Sequence, residues 1–320
     1  MPTLIFVLIL SNLCREDYQK ATTYKDGGKY QKPVWNDVGN DGLTFKPSNN
    51  IAPTDVTPIL LSGNHFDELS NHSRVLTPMV WGMIPPWHKG SFKSHGLSTN
   101  NCRIETLLSS KLYNAPLRSG KRCVVLCEGF YEWQTTKGKS NKQPYFIYMP
   151  QKDGVKVELR QNWTHANWNE EEGWTGPRLV HFAGLFNKWT AESGESVYSY
   201  TIITMESNKT LSWLHHRMPA ILDTEQAVKD WLDFENVSTE EAMQVLKPIQ
   251  KLVWHPVSTT VNNSRNKDEE CNKPLSTKSS SEKSKGATLM SNWLKRGQKK
   301  EDKEEGHDGS DGETPEKKKK

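Results

Sequence analysis

The stretch RCVVLCEGFYEW, residues 122–133, decides the fold. Its β-branched and aromatic residues, broken only by Gly129, read as strand rather than helix. The same composition recurs in ILLSG, VLTPMVWGMIP, PYFIYMP, LVHFAGLF and YSYTIIT, each bounded by Gly, Pro or Asn. Helical signals are fewer and late. DTEQAVKDWL offers Asp223 as an N-cap with Gln226 three residues on, and STEEAMQVL offers Ser238 with Glu241, a capping-box pattern. Many strands with a few helices around them predict an α+β fold built on a β-barrel or sheet core.

Composition breaks near Arg265. From residue 266 the only aromatic is Trp293, and the 14 Lys/Arg and 12 Asp/Glu nearly cancel. Such a segment buries too little apolar surface to offset its ordering entropy. The expected organisation is therefore a domain over 1–265 and a disordered charged tail over 266–320. Within the domain, 151–178 scatters three tryptophans among polar residues and reads as an inserted surface loop. The net charge of +4 leaves the body nearly neutral, so any basic patch must come from local clustering. Five cysteines, an odd number without a tight framework, argue against a disulfide scaffold, and none has zinc-site spacing. No metal or cofactor is expected.

The opening MPTLIFVLIL carries no charge until Arg15. It lacks the positive start and small-residue cleavage site of a signal peptide, and it is about half the roughly 20 residues of a membrane span. No membrane association is expected.

Four stretches bear chemistry. WGMIPPW, residues 81–87, holds two tryptophans on a proline-stiffened segment, suited either to the core or to stacking on an unpaired base. STNNCRIET places Asn100, Asn101 and Arg103 in a polar loop, where Arg pairs with phosphate and an amide orients a ligand. In EGFYEW, Glu132 lies between Tyr131 and Trp133; desolvation there raises a carboxyl toward the general-acid range. LHHRMPAIL sets His215 as a proton shuttle and Arg217 as a phosphate ligand.

Spacing alone does not join these stretches, but their order and wording do. NNIAPT (49–54), WGMIPPW, NCRIET (101–106), EGFYEW (128–133) and HHRMP (215–219) resemble, in sequence, the motifs of the SRAP (SOS-response-associated peptidase) family, over roughly residues 16–266. The resemblance implies a nuclear, chromatin- and replication-fork-associated monomer that binds single-stranded DNA at an abasic site. There the residue after the initiator Met, a Cys, joins its α-amine and thiol to the opened sugar as a thiazolidine. That DNA–protein crosslink shields the lesion and later reverses; lyase-like and autopeptidase activities go with it. By motif position, Asn101 orients the N-terminal residue and the sugar, Glu132 handles protons, and His215 promotes ring opening and reversal. Arg103, Arg217 and Thr204 hold phosphates, Trp81 stacks near the missing base, and Lys111 falls near a family Arg.

Two departures stand out. The family usually has Tyr where Asn49 stands, and its Met-Cys-Gly-Arg start is replaced here by Met1-Pro2-Thr3, with Cys14 the first cysteine. MPTLIFVLIL occupies the place of the nucleophile's strand, as a wrong first exon or an alternative isoform would give. A non-crosslinking DNA-binding pseudoenzyme and a cysteine peptidase are the competing functions. In the tail, Met290, Trp293 and Leu294 fall at i, i+3 and i+4 within 287–296, and resemble a divergent sliding-clamp (PCNA) box.

Overall fold

The computed structural model describes residues 13–37, 42–135 and 142–275. Helix α1 (Arg15–Ala21) leads into a hairpin, β1 (Tyr24–Asp26) and β2 (Lys29–Gln31), and a short strand β3 (Val34–Trp35). Strands β4 (Val56–Leu61), β5 (Val75–Trp81) and β6 (Asn101–Arg103) follow, then α2 (Asn114–Arg118), β7 (Arg122–Cys127), β8 (Phe130–Trp133) and β9 (Pro144–Tyr148). After α3 (Arg160–Thr164) and a small hairpin, β10 (Trp168–Asn169) and β11 (Gly173–Trp174), come the two longest strands, β12 (Val180–Thr190) and β13 (Ser196–Glu206). The order closes with β14 (Arg217–Pro219), α4 (Glu225–Leu232), α5 (Thr239–Gln244) and β15 (Val253–Pro256).

The large sheet runs β13-β12-β7-β4-β5, and β5 returns to pair with β13, so five strands close into a barrel. The closing contact is parallel, with Ser199 opposite Val80 and Tyr200 opposite Trp81. Closure explains the unbroken apolar run CVVLC: all six residues of β7, Arg122 included, are buried. The α+β class with a barrel core and peripheral helices is what the strand-rich pattern predicts. A second sheet, β15-β9-β8, carries EGFYEW.

Gly129 turns the chain between these two sheets. A Cβ there would stand 2.3 Å from the Phe146 ring and 2.7 Å from the Ile147 carbonyl oxygen, far inside contact distance. Gly129→Ala is therefore expected to destabilise the fold by about 1–3 kcal/mol, the usual cost of overpacking. Urea denaturation checks this, and an unchanged midpoint would mean that the junction yields freely.

Local expectations meet three corrections. The α4 N-cap is Thr224 rather than Asp223: its Oγ1 accepts from the Ala227 amide at 3.1 Å. The Ser238–Glu241 capping box on α5 is present. Residues 151–178 are not a bare surface loop, since α3 and the β10–β11 hairpin lie there and Trp163 is buried. The domain end expected at 265 moves to Leu275. Cys271 is buried, the Leu275 amide donates to the Pro256 carbonyl, and His255 Nε2 meets the Asn272 carbonyl at 2.7 Å. Residues 1–12 and 276–320, with Met290, Trp293 and Leu294, lie outside the described residues. No helix of the described residues is long and apolar enough to cross a membrane.

Candidate functional site

β6 lies parallel to the end of β13, with Asn101 opposite Ile202 and Arg103 opposite Thr204. β14 takes the other edge, with Thr204 opposite Pro219 and Glu206 opposite Arg217. Arg103, Thr204 and Arg217 thus gather around one strand end. Thr204 Oγ1 donates to the Cys102 carbonyl at 3.1 Å. The Arg217 guanidinium donates to the Thr204 carbonyl at 2.7 Å and grips both oxygens of Glu105, at 2.7 and 3.0 Å. That bidentate hold keeps the Glu105 carboxyl below the usual carboxylate range. Arg103 is exposed at the same corner.

Asn101 projects from β6 with both side-chain atoms, Nδ2 and Oδ1, buried and without a hydrogen-bond partner. Leaving a buried polar group unpaired costs about 1–3 kcal/mol, so an amide with neither atom bonded calls for a partner such as a water or a ligand.

Glu132 sits on β8 and is 5 % exposed. One carboxyl oxygen accepts from the Trp133 amide at 3.0 Å, while Oε2 has no hydrogen-bond partner. Burial pushes its pKa up to about 8, against smaller opposing effects of the Trp133 amide and Lys142. His215, 1 % exposed, meets the Arg217 amide at 3.0 Å and the Arg217 carbonyl at 3.1 Å through Nδ1; the neutral tautomer that donates Nδ1–H to that carbonyl leaves Nε2 as the acceptor. Burial brings its pKa down to about 4. At neutral pH the carboxyl therefore holds its proton and the imidazole lacks one. Groups with pKa values pushed apart in this way are candidates for an acid and a base.

The end of β8 is tied to the segment before His215. Thr135 donates to the Leu214 carbonyl through its amide, at 2.9 Å, and through its hydroxyl, at 3.3 Å. A chain of contacts thus runs from Asn101 and Arg103 through Thr204, Arg217 and His215 to β8 and Glu132. Two residues that sequence reading passed over belong to it. Glu105 partners Arg217, and Lys142, just before β9, acts electrostatically on both Glu132 and His215. Glu105 was discoverable as the carboxylate of NCRIET, whereas Lys142 is one of three lysines in the polar stretch QTTKGKSNKQ, and nothing in the sequence singles it out.

Other expected residues fall elsewhere. Trp81 is fully buried, stacked parallel to Tyr200 at 6.4 Å, and its indole donates to the Asn100 carbonyl at 2.8 Å. It braces the loop before Asn101 and presents no face to a base; the exposed tryptophan of WGMIPPW is Trp87, at 56 %. Lys111 is exposed before α2, and no hydrogen bond or ion pair joins it to the cluster. Asn49 is buried and donates to the Lys267 carbonyl at 3.0 Å.

A family profile described as SOS response associated peptidase (SRAP) matches residues 17–264. The abasic site processing protein HMCES of Xenopus tropicalis is 46% identical over 264 residues, 81% of this chain and 75% of that protein. The HMCES of Rattus norvegicus is 43% identical over 288 residues, covering 88% and 80%. The abasic site processing protein YoqW of Bacillus subtilis is 31% identical over 228 residues, covering 71% and 85%. A solved Bordetella bronchiseptica protein superposes with a TM-score of 0.56 at 18% identity, covering 79% of this chain and 99% of its own, which speaks for the fold alone. With the profile spanning most of the barrel and every strand of the site, the chain belongs to the SRAP family.

Proposed function

We propose that this chain recognises an abasic site in single-stranded DNA, and that Asn101, Glu132 and His215 serve the proton transfers of its covalent capture. The unpaired Asn101 amide, buried at a strand end shared with Arg103 and Arg217, carries the reading. The names of the similar proteins support abasic-site processing as the role.

The chemistry follows from the protonation states. Unprotonated His215 takes the proton of the sugar's C1′ hydroxyl on Nε2 and returns it to O4′ as the C1′–O4′ bond breaks, which opens the ring to the aldehyde. An amine then adds to that carbon. Glu132, still protonated, gives its proton to the resulting hydroxyl, which leaves as water, and an iminium forms. Asn101 holds the reacting carbon and amine in register. Arg103 and Arg217 bind the flanking phosphates, with phosphate replacing the Glu105 carboxylate on Arg217.

A non-crosslinking binder is the second reading, favoured by one observation: Cys14 stands at the N-cap position of α1 within the chain, where it has no free amine beside its thiol. A cysteine peptidase has less support: burial raises the Cys102 thiol to about 12 and pushes Cys123 and Cys127 well above the ordinary range. Such thiols are poor nucleophiles.

Affinity for abasic single-stranded DNA is expected to fall with salt, by a slope of about 0.7 per phosphate contact. Arg103→Glu should weaken binding and flatten that slope. Fluorescence anisotropy at several salt concentrations tests it; binding indifferent to both salt and the substitution would refute the DNA reading.

A further inference from the structure

The face of the small sheet that carries Glu132 does not end at the reaction centre. Glu132 stands opposite Tyr145, and Tyr145 opposite Pro256; in the next row Phe130 stands opposite Ile147, and Ile147 opposite Trp254. Residues two apart share a face, so Glu132, Tyr145 and Trp254 look the same way. Trp213, two residues before His215, packs over this face. Its ring meets Tyr145 edge-on at 5.0 Å and 88°, and Trp254 at 5.5 Å and 43°. The strip ends at β15, the edge of the sheet, where Trp254 is 36% exposed and Val253 37%.

Its flanks are basic. Asn208 donates to the Ile249 carbonyl at 2.7 Å and Thr210 to the Gln250 carbonyl at 3.2 Å, which ties the segment carrying Lys209 to the one that carries Lys251 into β15. Both lysines are exposed, and neither forms an ion pair with a described residue.

We propose that this strip is a second DNA subsite, where the base next to the abasic sugar stacks on Trp254 while Lys209 and Lys251 meet the adjacent phosphate. The proposal rests on the DNA reading of the Glu132 site. Two inter-strand spacings separate β8 from β15, roughly 10 Å, which is reach for a neighbouring nucleotide rather than a distant one. Aromatic faces beside free cations are what unpaired bases and their backbone require. A peptide added to the β15 edge would leave the lysines unused.

The test compares two abasic oligonucleotides of equal length, one with thymines beside the lesion and one with base-less spacers there. Trp254→Ala should bind the first about tenfold more weakly, the loss of one base–aromatic stack, and the second as the parent does. Arg103→Glu should weaken both alike. Parent-like binding of both by Trp254→Ala, or an equal loss on both, overturns the subsite; if Arg103→Glu still weakens both, the DNA reading stands without it. Salt-independent binding by the parent removes both. Trp254-dependent dimerisation in sedimentation, with DNA affinity unaltered, assigns the strip to a second copy of the chain and also overturns the subsite.

Discussion

With residues 1–14 replaced by a Met-Cys-Gly-Arg start, Glu132→Gln is expected to slow DNA–protein crosslink formation by roughly 10²–10⁴-fold, the usual loss for a positioned acid. Affinity for abasic DNA should hardly change, because Glu132 is buried and the cation expected to meet phosphate, Arg103, is exposed and untouched. The pH profile separates this from a structural effect. With its pKa pushed up to about 8, Glu132 donates its proton at and below neutrality, so the rate should fall as pH rises past 8. That falling limb should vanish in Glu132→Gln.

Stability carries the same signature. The folded pKa of Glu132 lies above its ordinary 4.5, so the folded state holds a proton that the unfolded chain releases. The associated stability is fully present below about pH 4.5 and is lost as pH rises through 8, by at most about 1.4 kcal/mol per unit. His215 runs the other way: its pKa drops from 6.5 to about 4, so its contribution is present above 6.5 and lost as pH falls through 4. Urea midpoints at pH 7 and pH 9, a range in which the His215 contribution is constant, should diverge in the parent and draw together in Glu132→Gln. Equal divergence in both would take the raised pKa away from Glu132.

Much of the fold was legible because its strands are short runs of β-branched and aromatic residues with clear stops. Barrel closure was not. The β5–β13 contact joins Val80 to Ser199 in parallel, and pairing between such distant residues leaves no local pattern. That is also why Trp81 was misplaced: only closure decides which tryptophan of WGMIPPW faces Tyr200 and which faces solvent. The α4 cap slipped by one because Asp223 and Thr224 are both good N-caps, and the choice rests on which oxygen reaches Ala227. The domain end was set too early because residues 266–275 are polar and anchored by backbone bonds and one buried cysteine, which composition does not register.

In the site, Glu132 was readable from its aromatic neighbours, since desolvation needs only an apolar setting. The His215 shift was not, because it depends on how deeply the ring sits behind Leu214 and the Arg217 amide. Arg217's grip on Glu105 was likewise hidden, as the two are far apart in sequence and meet only across the end of β13.

The start of the chain carries the other large effect. Protein expressed as residues 1–320 offers, once Met1 is removed, the secondary amine of Pro2, which forms an iminium with the abasic aldehyde but has no thiol to close a ring. Cys14 has no free amine, and it is fixed at the N-cap of α1. That protein should give only a transient adduct that borohydride traps. The same protein with a Met-Cys-Gly-Arg start has amine and thiol on one residue, and its thiazolidine should persist without reductant. The deciding measurement is a denaturing gel of both proteins with abasic and intact single-stranded DNA, in the absence of borohydride. The expected result is a durable shifted band from the Cys-start protein with abasic DNA alone; no band from that protein, or a durable one from residues 1–320, would contradict covalent capture by this site.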